Sequence, residues 1–521
     1  MKIRKLISVL LAVFLFAQLC LPAVSAGGEE IRQTPIITVP GTSNCHIVNG
    51  NGDVIIPNSS NDFGELIKDR EFMEPLLKQF AKSVATNCWD KYCDMLVGAL
   101  TPIWEDQLFD GNGEPTHGDA PQNVDWSAVQ HKTSGFTVND FVFKYDWRLD
   151  PFAAAAQLDG YIDNVLAATG AEKVALVGRC YGANVLSAYL AEYGTEKVSD
   201  SIYYCSLAKG NEQVDALYTG SIALDADILD MYANYFLKVQ KPVEDDDLTL
   251  FLASLVTLMN YTCSLDLTAA ALEKLIGKFK DNILPRILRA GYGTYPGYWS
   301  MVSSEAYESA KEYVFADNAG DYAGLIEKTD RYHYEVQEKL DDILDGCIAD
   351  GMRIMVICKY NEPAYPFFEG CDYQSDNSCS LGKQSFGATA SKINKFLGDD
   401  YIAGRTAQGF GDYISPDRKI DASTAKFADC TWFFKNVDHL DHDGFLMRLI
   451  ELGTQSQVQF TVRDTGTYPQ FIKKLPDGSF GAVTADDEED AIWAKTPFFT
   501  ALKNLFSSLF ALLRKLMSGE K

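Results

Sequence analysis

Positive charge and histidine are both in short supply. Lys and Arg number 46 against 72 Asp and Glu, for a net charge of −26, and the 521 residues include six histidines. An acidic surface of this kind repels phosphate backbones, so nucleic acid is not an expected partner. The scarcity of histidine also bears on metals. The cysteine pairs Cys88/Cys93 and Cys371/Cys379 have no histidine near them, so no metal is expected there and none elsewhere, and no cofactor is implied. No internal repeat is present. The apolar run at residues 6–21, behind Lys2, Arg4 and Lys5, is short for a spanning helix and ends at Val24-Ser25-Ala26. These are the marks of a secretory signal peptide over residues 1–26, which places the mature protein outside the cytoplasm, secreted or at the cell surface. Cys20 follows Gln18-Leu19 rather than small residues, which argues against a lipoprotein anchor.

Twelve cysteines are present, and Cys20 leaves with the signal. An odd number then remains for an oxidising compartment, so pairing the others leaves one thiol. Parity favours Cys180 as that thiol, with Cys88/Cys93 and Cys371/Cys379 the pairs expected from proximity.

The chain is organised around residues 173–194, KVALVGRCYGANVLSAYLAEYG. A β-branched apolar run at 174–177 reads as a strand buried on both faces. Gly178-Arg179-Cys180-Tyr181-Gly182 follows, and then a helical pattern that stops at Gly194. Strand, G-x-nucleophile-x-G turn and helix make a nucleophile elbow, in which Gly178 and Gly182 permit a tight turn and residue 180 stands above the sheet. Cys180 is the candidate nucleophile, since the helix N-terminus and Arg179 both favour negative charge there. The alternative is a small buried cysteine on a scaffold that has lost its chemistry.

Buried-strand patterns recur at 35–41, 141–145, 200–207, 353–360 and 431–437. The stretch 211–351 is helical apart from an aromatic, Gly/Pro-rich loop at 291–299, which either lies over the site or plugs the core of its own domain. An edge strand is expected near 457–464. Two of the six histidines, His439 and His442, fall in the loop after the last central strand, where an imidazole reaches a nucleophile at the elbow. His439 is the first choice and His442 the alternative.

Several of these motifs together resemble the lecithin:cholesterol acyltransferase group of lipases and acyltransferases. They are Val39-Pro40-Gly41, Tyr145-Asp146-Trp147-Arg148-Leu149 followed by Asp150-Pro151, the elbow, Gly411-Asp412, and His439-Leu440-Asp441. The resemblance covers roughly residues 35–455. It implies an α/β-hydrolase fold with a mostly parallel central sheet and an inserted helical cap. It also implies a triad of Cys180, Asp412 and His439, with Asp417 and Asp421 as rival acids. Oxyanion donors would be the backbone N–H groups of Ser43 or Thr42 and of Tyr181. Asp146 and Arg148 would form a structural ion pair. The chain departs from the group at Arg179-Cys180, where members usually carry His-Ser.

The expected organisation is a core at 27–210 and 352–470, a cap at 211–351, an acidic linker at 471–495 and an amphipathic helix at 496–521. The expected function is acyl-ester hydrolysis or O-acyl transfer on a lipid-like substrate; the alternative is a catalytically inactive binding or cell-surface protein on the same fold. The C-terminal helix carries Phe498, Phe499, Leu502, Leu505, Phe506, Leu509 and Phe510 at three- and four-residue steps, with basic residues beside them. A peripheral membrane contact through residues 496–521, or packing against the protein's own body, accounts for that pattern.

Overall fold

A computed structural model describes residues 34–42, 46–56, 70–104, 107–117, 120–121, 124–238, 247–262, 264–456, 458–464, 466–487 and 495–518. The signal segment, Ser43 and the acidic run at 488–490 lie outside the described residues.

Eight strands form the central sheet, numbered here in chain order: β1 (Ile36–Val39), β2 (Phe141–Val142), β3 (Val174–Arg179), β4 (Val198–Tyr204), β5 (Arg353–Tyr360), β6 (Thr431–Lys435), β7 (Phe471–Lys474) and β8 (Phe480–Ala482). Their spatial order is β8-β7-β6-β5-β4-β3-β1-β2. Every pairing is parallel except that of β7 with β8. The protein is therefore α/β with a mostly parallel sheet. β1, β3, β4, β5 and β6 are buried at every position; β1 and most of β3, β5 and β6 read accordingly as apolar or β-branched runs, whereas β4 buries Ser199, Asp200 and Ser201 as well.

Two helices flank the middle of the sheet. α1 (Pro151–Thr169) begins where the Asp150 carboxylate accepts the Phe152 N–H and Pro151 occupies the first turn, and it ends at Gly170 in the left-handed region. α2 (Gly182–Tyr193) follows β3 directly. The chain runs from β2 through α1 across β1 to β3, and from β3 the strands then step outward the other way. The strand order thus reverses between β1 and β3, and the carboxyl ends of these two strands flank the crevice where open α/β sheets bind ligands.

Between β4 and β5 the described chain is helical from Glu212 to Ala349 and includes α3 (Asp247–Tyr261). Trp299, Tyr218 and Phe315 anchor a buried cluster of its own. After β6 come α4 (Gly444–Gln455) and, at the C-terminus, α5 (Phe498–Ser518). α5 packs on α3, where Tyr261 donates to the Thr496 carbonyl at 2.9 Å and its ring meets Phe498 edge-on.

Three expectations need correction. Residues 458–464 form no strand; the outer strands are β7 and β8, within the stretch expected to be a linker. Half of β7 is lysine, so its sequence lacks the run that marks a buried strand. The expected disulfides are not formed, and all nine described cysteines are free. The Cys93 thiol turns to the Asn282 carbonyl at 3.2 Å. Cys379 lies in the main core with its thiol on the Gly210 carbonyl, while Cys371 belongs to a separate cluster with Ala364 and Phe368. The parity argument for a lone thiol at Cys180 therefore falls.

Candidate active site

Cys180 follows the last residue of β3 and has φ +53, a conformation that costs an L-residue about 1–3 kcal/mol. The turn is held by close backbone approaches. A Cβ on Gly178 would stand 2.7 Å from the Ala183 Cα, and one on Gly182 would stand 2.0 Å from the Val39 carbonyl oxygen. Gly41, at the end of β1, meets the nucleophile itself, since a Cβ there would lie 2.8 Å from the Cys180 Cβ and 3.2 Å from Sγ. The Cys180 N–H donates to the Tyr204 carbonyl at 3.0 Å, and its own carbonyl accepts the Leu207 N–H at 3.3 Å. These bonds tie the elbow to β4. Tyr181 caps the N-terminus of α2, where the first N–H groups of a helix have no intrahelical acceptor. Thr42 is half-buried and lines the same cavity as Cys180.

His439 follows β6 in the expected loop. Its Nδ1 lies 2.6 Å from Asp376 Oδ2, and its backbone N–H donates to the Asp376 carbonyl at 2.8 Å. The other oxygen, Oδ1, accepts the N–H groups of Ser378 and Cys379 at 3.0 and 2.9 Å. Asp376 is fully buried. Burial opposes its charge, but His439, the Cys379 N–H and nearby Lys359 outweigh it and hold the carboxyl below the usual range. Burial likewise opposes the imidazolium of His439, yet Asp376 on one side and Cys180 on the other push its pKa well above the ordinary value. The Cys180 thiol, the His439 imidazole and the Asp376 carboxylate therefore converge from the carboxyl ends of β3, β6 and β5.

Asp412 stands elsewhere, on an exposed turn near Arg463. The rivals are committed to other partners. Asp417 pairs with Lys435 at 3.1 Å and accepts from Ser415 and Tyr360. Asp421 pairs with Arg405 at 2.7 Å. Asp376 carries no family-like motif; the available signal was an Asp-Asn-Ser turn in the excursion after β5, the strand preceding that of the histidine. His442 reaches only the Tyr204 hydroxyl, at 3.4 Å. Burial, Lys359 and Arg179 press its pKa down to about 3. Among the described residues no carboxylate hydrogen-bonds it.

Lys359 fixes the histidine loop. This fully buried side chain donates from Nζ to the carbonyls of Asp438, His439 and Asp441 at 2.9, 3.1 and 2.6 Å, which uses all three of its protons. Asp146 and Arg148 form a buried pair through two bonds of 3.0 and 2.7 Å. Their neighbour Trp147 meets Tyr298 edge-on. The aromatic loop divides its side chains: Tyr298 lines the Cys180 cavity, whereas Trp299 is buried in the helical stretch. The cavity measures about 340 Å³, and Leu207, Val214, Met301 and Leu440 give it an apolar wall.

Cys205, also at positive φ and fully buried, brings a second thiol beside the pair. Its Sγ, a carboxylate oxygen of Asp376 and a ring nitrogen of His439 lie within 4.8 Å of one another. This is a poor metal centre. Asp376 and His439 already share a proton across 2.6 Å, and the second carboxylate oxygen is filled by two N–H groups. Burial pushes the Cys205 thiol up to about 12, so it stays protonated. No protein-family model matches this chain, and no curated protein matches it.

Proposed function

We propose that the chain is an extracytoplasmic acyl-ester hydrolase or O-acyltransferase on an α/β-hydrolase fold, akin to the lecithin:cholesterol acyltransferase group. It works through Cys180, His439 and Asp376. One observation carries the reading: a cysteine in a strained elbow turn lies against an imidazole that a buried carboxylate orients.

His439 takes the thiol proton as Cys180 Sγ attacks the ester carbonyl, and the tetrahedral oxyanion faces the Tyr181 and Thr42 N–H groups. The C–O bond breaks, the alcohol leaves with the proton from His439, and a thioester remains on Cys180. Water or an acceptor alcohol then attacks the thioester while His439 takes its proton. Collapse releases the acid or new ester, and the proton returns to the thiol. Asp376 keeps the imidazole in one tautomer and balances its transient charge.

A lipid-like substrate suits the apolar cavity wall and α5, whose Phe499 and Phe510 are 80% and 67% exposed on a helix already packed on its other face. Residues 496–521 would make a peripheral membrane contact.

The test is a chain-length series of 4-nitrophenyl esters, with iodoacetamide labelling mapped by mass spectrometry. Cleavage should vanish in Cys180→Ala, return in part in Cys180→Ser, and be blocked by alkylation at Cys180. If the native thiol is inert and neither the native protein nor Cys180→Ser cleaves any ester, the site is a binding pocket on an inactive scaffold.

A further inference from the structure

The sheet face beneath the histidine loop holds a positive charge that no carboxylate among the described residues answers. Arg179, the residue before the nucleophile, pairs in register with Tyr204 and reaches α4. Its exposure is 9%, yet one Nη2 contact at 2.9 Å goes to the Met447 sulfur, and the guanidinium carbon lies 5.8 Å from the Tyr204 ring centre. Nε has no partner, and no ion pair to Arg179 exists among the described residues. A thioether is a weak acceptor and a ring face supplies only part of what water did, so a buried cation in this setting is costly until an anion meets it. Burial pushes its pKa down accordingly.

The groups around it do not discharge the debt. Lys359 adds a second cation over the Tyr204 ring at 4.8 Å, with its protons already spent on the histidine loop. Asp441 is taken by Lys474. Asp438, on the cavity lining, is held by Asn377 and by the Leu440 N–H. Asp443 caps α4 through the Phe445 N–H, and the N-terminus of that helix adds further positive potential. Arg179 and His442 both line the cavity that holds Cys180.

We propose that Arg179, with His442 beside it, forms an anion subsite of the Cys180 cavity, and that the substrate carries an oxyanion, carboxylate or phosphate, close to its scissile acyl bond. The inference rests on the acyl-transfer reading of Cys180 and narrows its substrate class. His442, which lines the same cavity, can donate to the anion from one ring nitrogen.

Two matched ester pairs test this. 4-Nitrophenyl hydrogen succinate against 4-nitrophenyl butyrate places a carboxylate on the acyl side. 1-Butyrylglycerol 3-phosphate against 1-butyrylglycerol places a phosphate on the alcohol side. The native protein should favour the anionic member of one pair by about tenfold or more in kcat/KM; the pair that responds identifies the source of the charge. Arg179→Met should bring that ratio near one, and Arg179→Lys should restore part of it. The readout is the ratio, so a loss of rate common to both members does not count. A native ratio near one for both pairs, or a preference unchanged in Arg179→Met, overturns the proposal. Calorimetry of Cys180→Ala with methyl hydrogen succinate and with glycerol 3-phosphate separates the two readings. Arg179-dependent binding with no ester cleaved by the native protein sinks the acyl-transfer reading and keeps the subsite. Ester cleavage with neither anion preference nor anion binding does the reverse.

Discussion

Replacing Asp376 by asparagine should disable the protein without unfolding it, and the orientation of the new amide explains why. Asp376 Oδ1 accepts two backbone N–H groups, from Ser378 and Cys379, and an asparagine keeps its own oxygen there to satisfy them. Its NH₂ then faces His439 Nδ1, where the carboxylate stood at 2.6 Å. Two donors cannot share that position, so the imidazole must carry its proton on Nε2 instead, pointing at the thiol it should deprotonate. The lost charge-assisted bond is worth about 1.5–3 kcal/mol, or roughly 10- to 150-fold. The inverted tautomer adds to this, so the expected fall in kcat/KM is about 10²- to 10⁴-fold. Initial rates on 4-nitrophenyl butyrate, with thermal melts alongside, make the comparison. Asp412→Asn, on its exposed turn, should stay within about twofold of the native rate and serves as the control. Full activity in Asp376→Asn together with a large loss in Asp412→Asn would refute the assignment.

Gly182→Ala drives a Cβ to 2.0 Å from the Val39 carbonyl; a loss of about 1–3 kcal/mol in urea denaturation and slowed alkylation of Cys180 should follow, and native values in both would show that the elbow yields. Glu362 accepts the Tyr235 hydroxyl, and burial, chiefly, raises its pKa from 4.5 to about 7. The folded state then binds the extra proton, so stability should fall as pH rises from about 4.5 to 7, by up to about 3 kcal/mol, and Glu362→Gln should flatten that slope in melts across the range. Replacing Phe499, Phe506 and Phe510 by serine should lower liposome co-sedimentation without lowering Tm, because these rings are exposed; unchanged sedimentation would leave α5 with packing against α3 alone.

The parts of the fold that were legible in the sequence are those whose physics is local. Central strands buried on both faces are mostly apolar, so 174–177, 353–360 and 431–437 announce themselves, while Ser199-Asp200-Ser201 blurs the start of β4. The elbow glycines and the histidine after β6 are likewise fixed by short-range geometry. Asp376 was not legible, because a carboxylate is oriented by distant partners: His439, from another strand end, holds it, and the Asp-Asn-Ser turn around it does not by itself record this. Gly411-Asp412 carried the motif without the neighbour. The cysteine pairs failed for the same reason, since proximity in sequence does not fix where two thiols point. At the edge, β7 and β8 alternate or carry lysine and give little apolar signal.

The placement of the helical stretch also sets an order of events during synthesis. β4 pairs with β3 on one side and β5 on the other, yet all of Glu212–Ala349 is made before β5 appears. A nascent chain that has completed β1 to β4 holds the elbow and its thiol while one edge of β4 stays unpaired, with fully buried Ile202, Tyr203 and Tyr204 awaiting cover. Asp376 and His439 arrive only with β5 and β6. Shielding of that edge on the ribosome falls to the emerging helices or to a chaperone, and Cys180 remains without His439 beside it until the last third of the chain has docked.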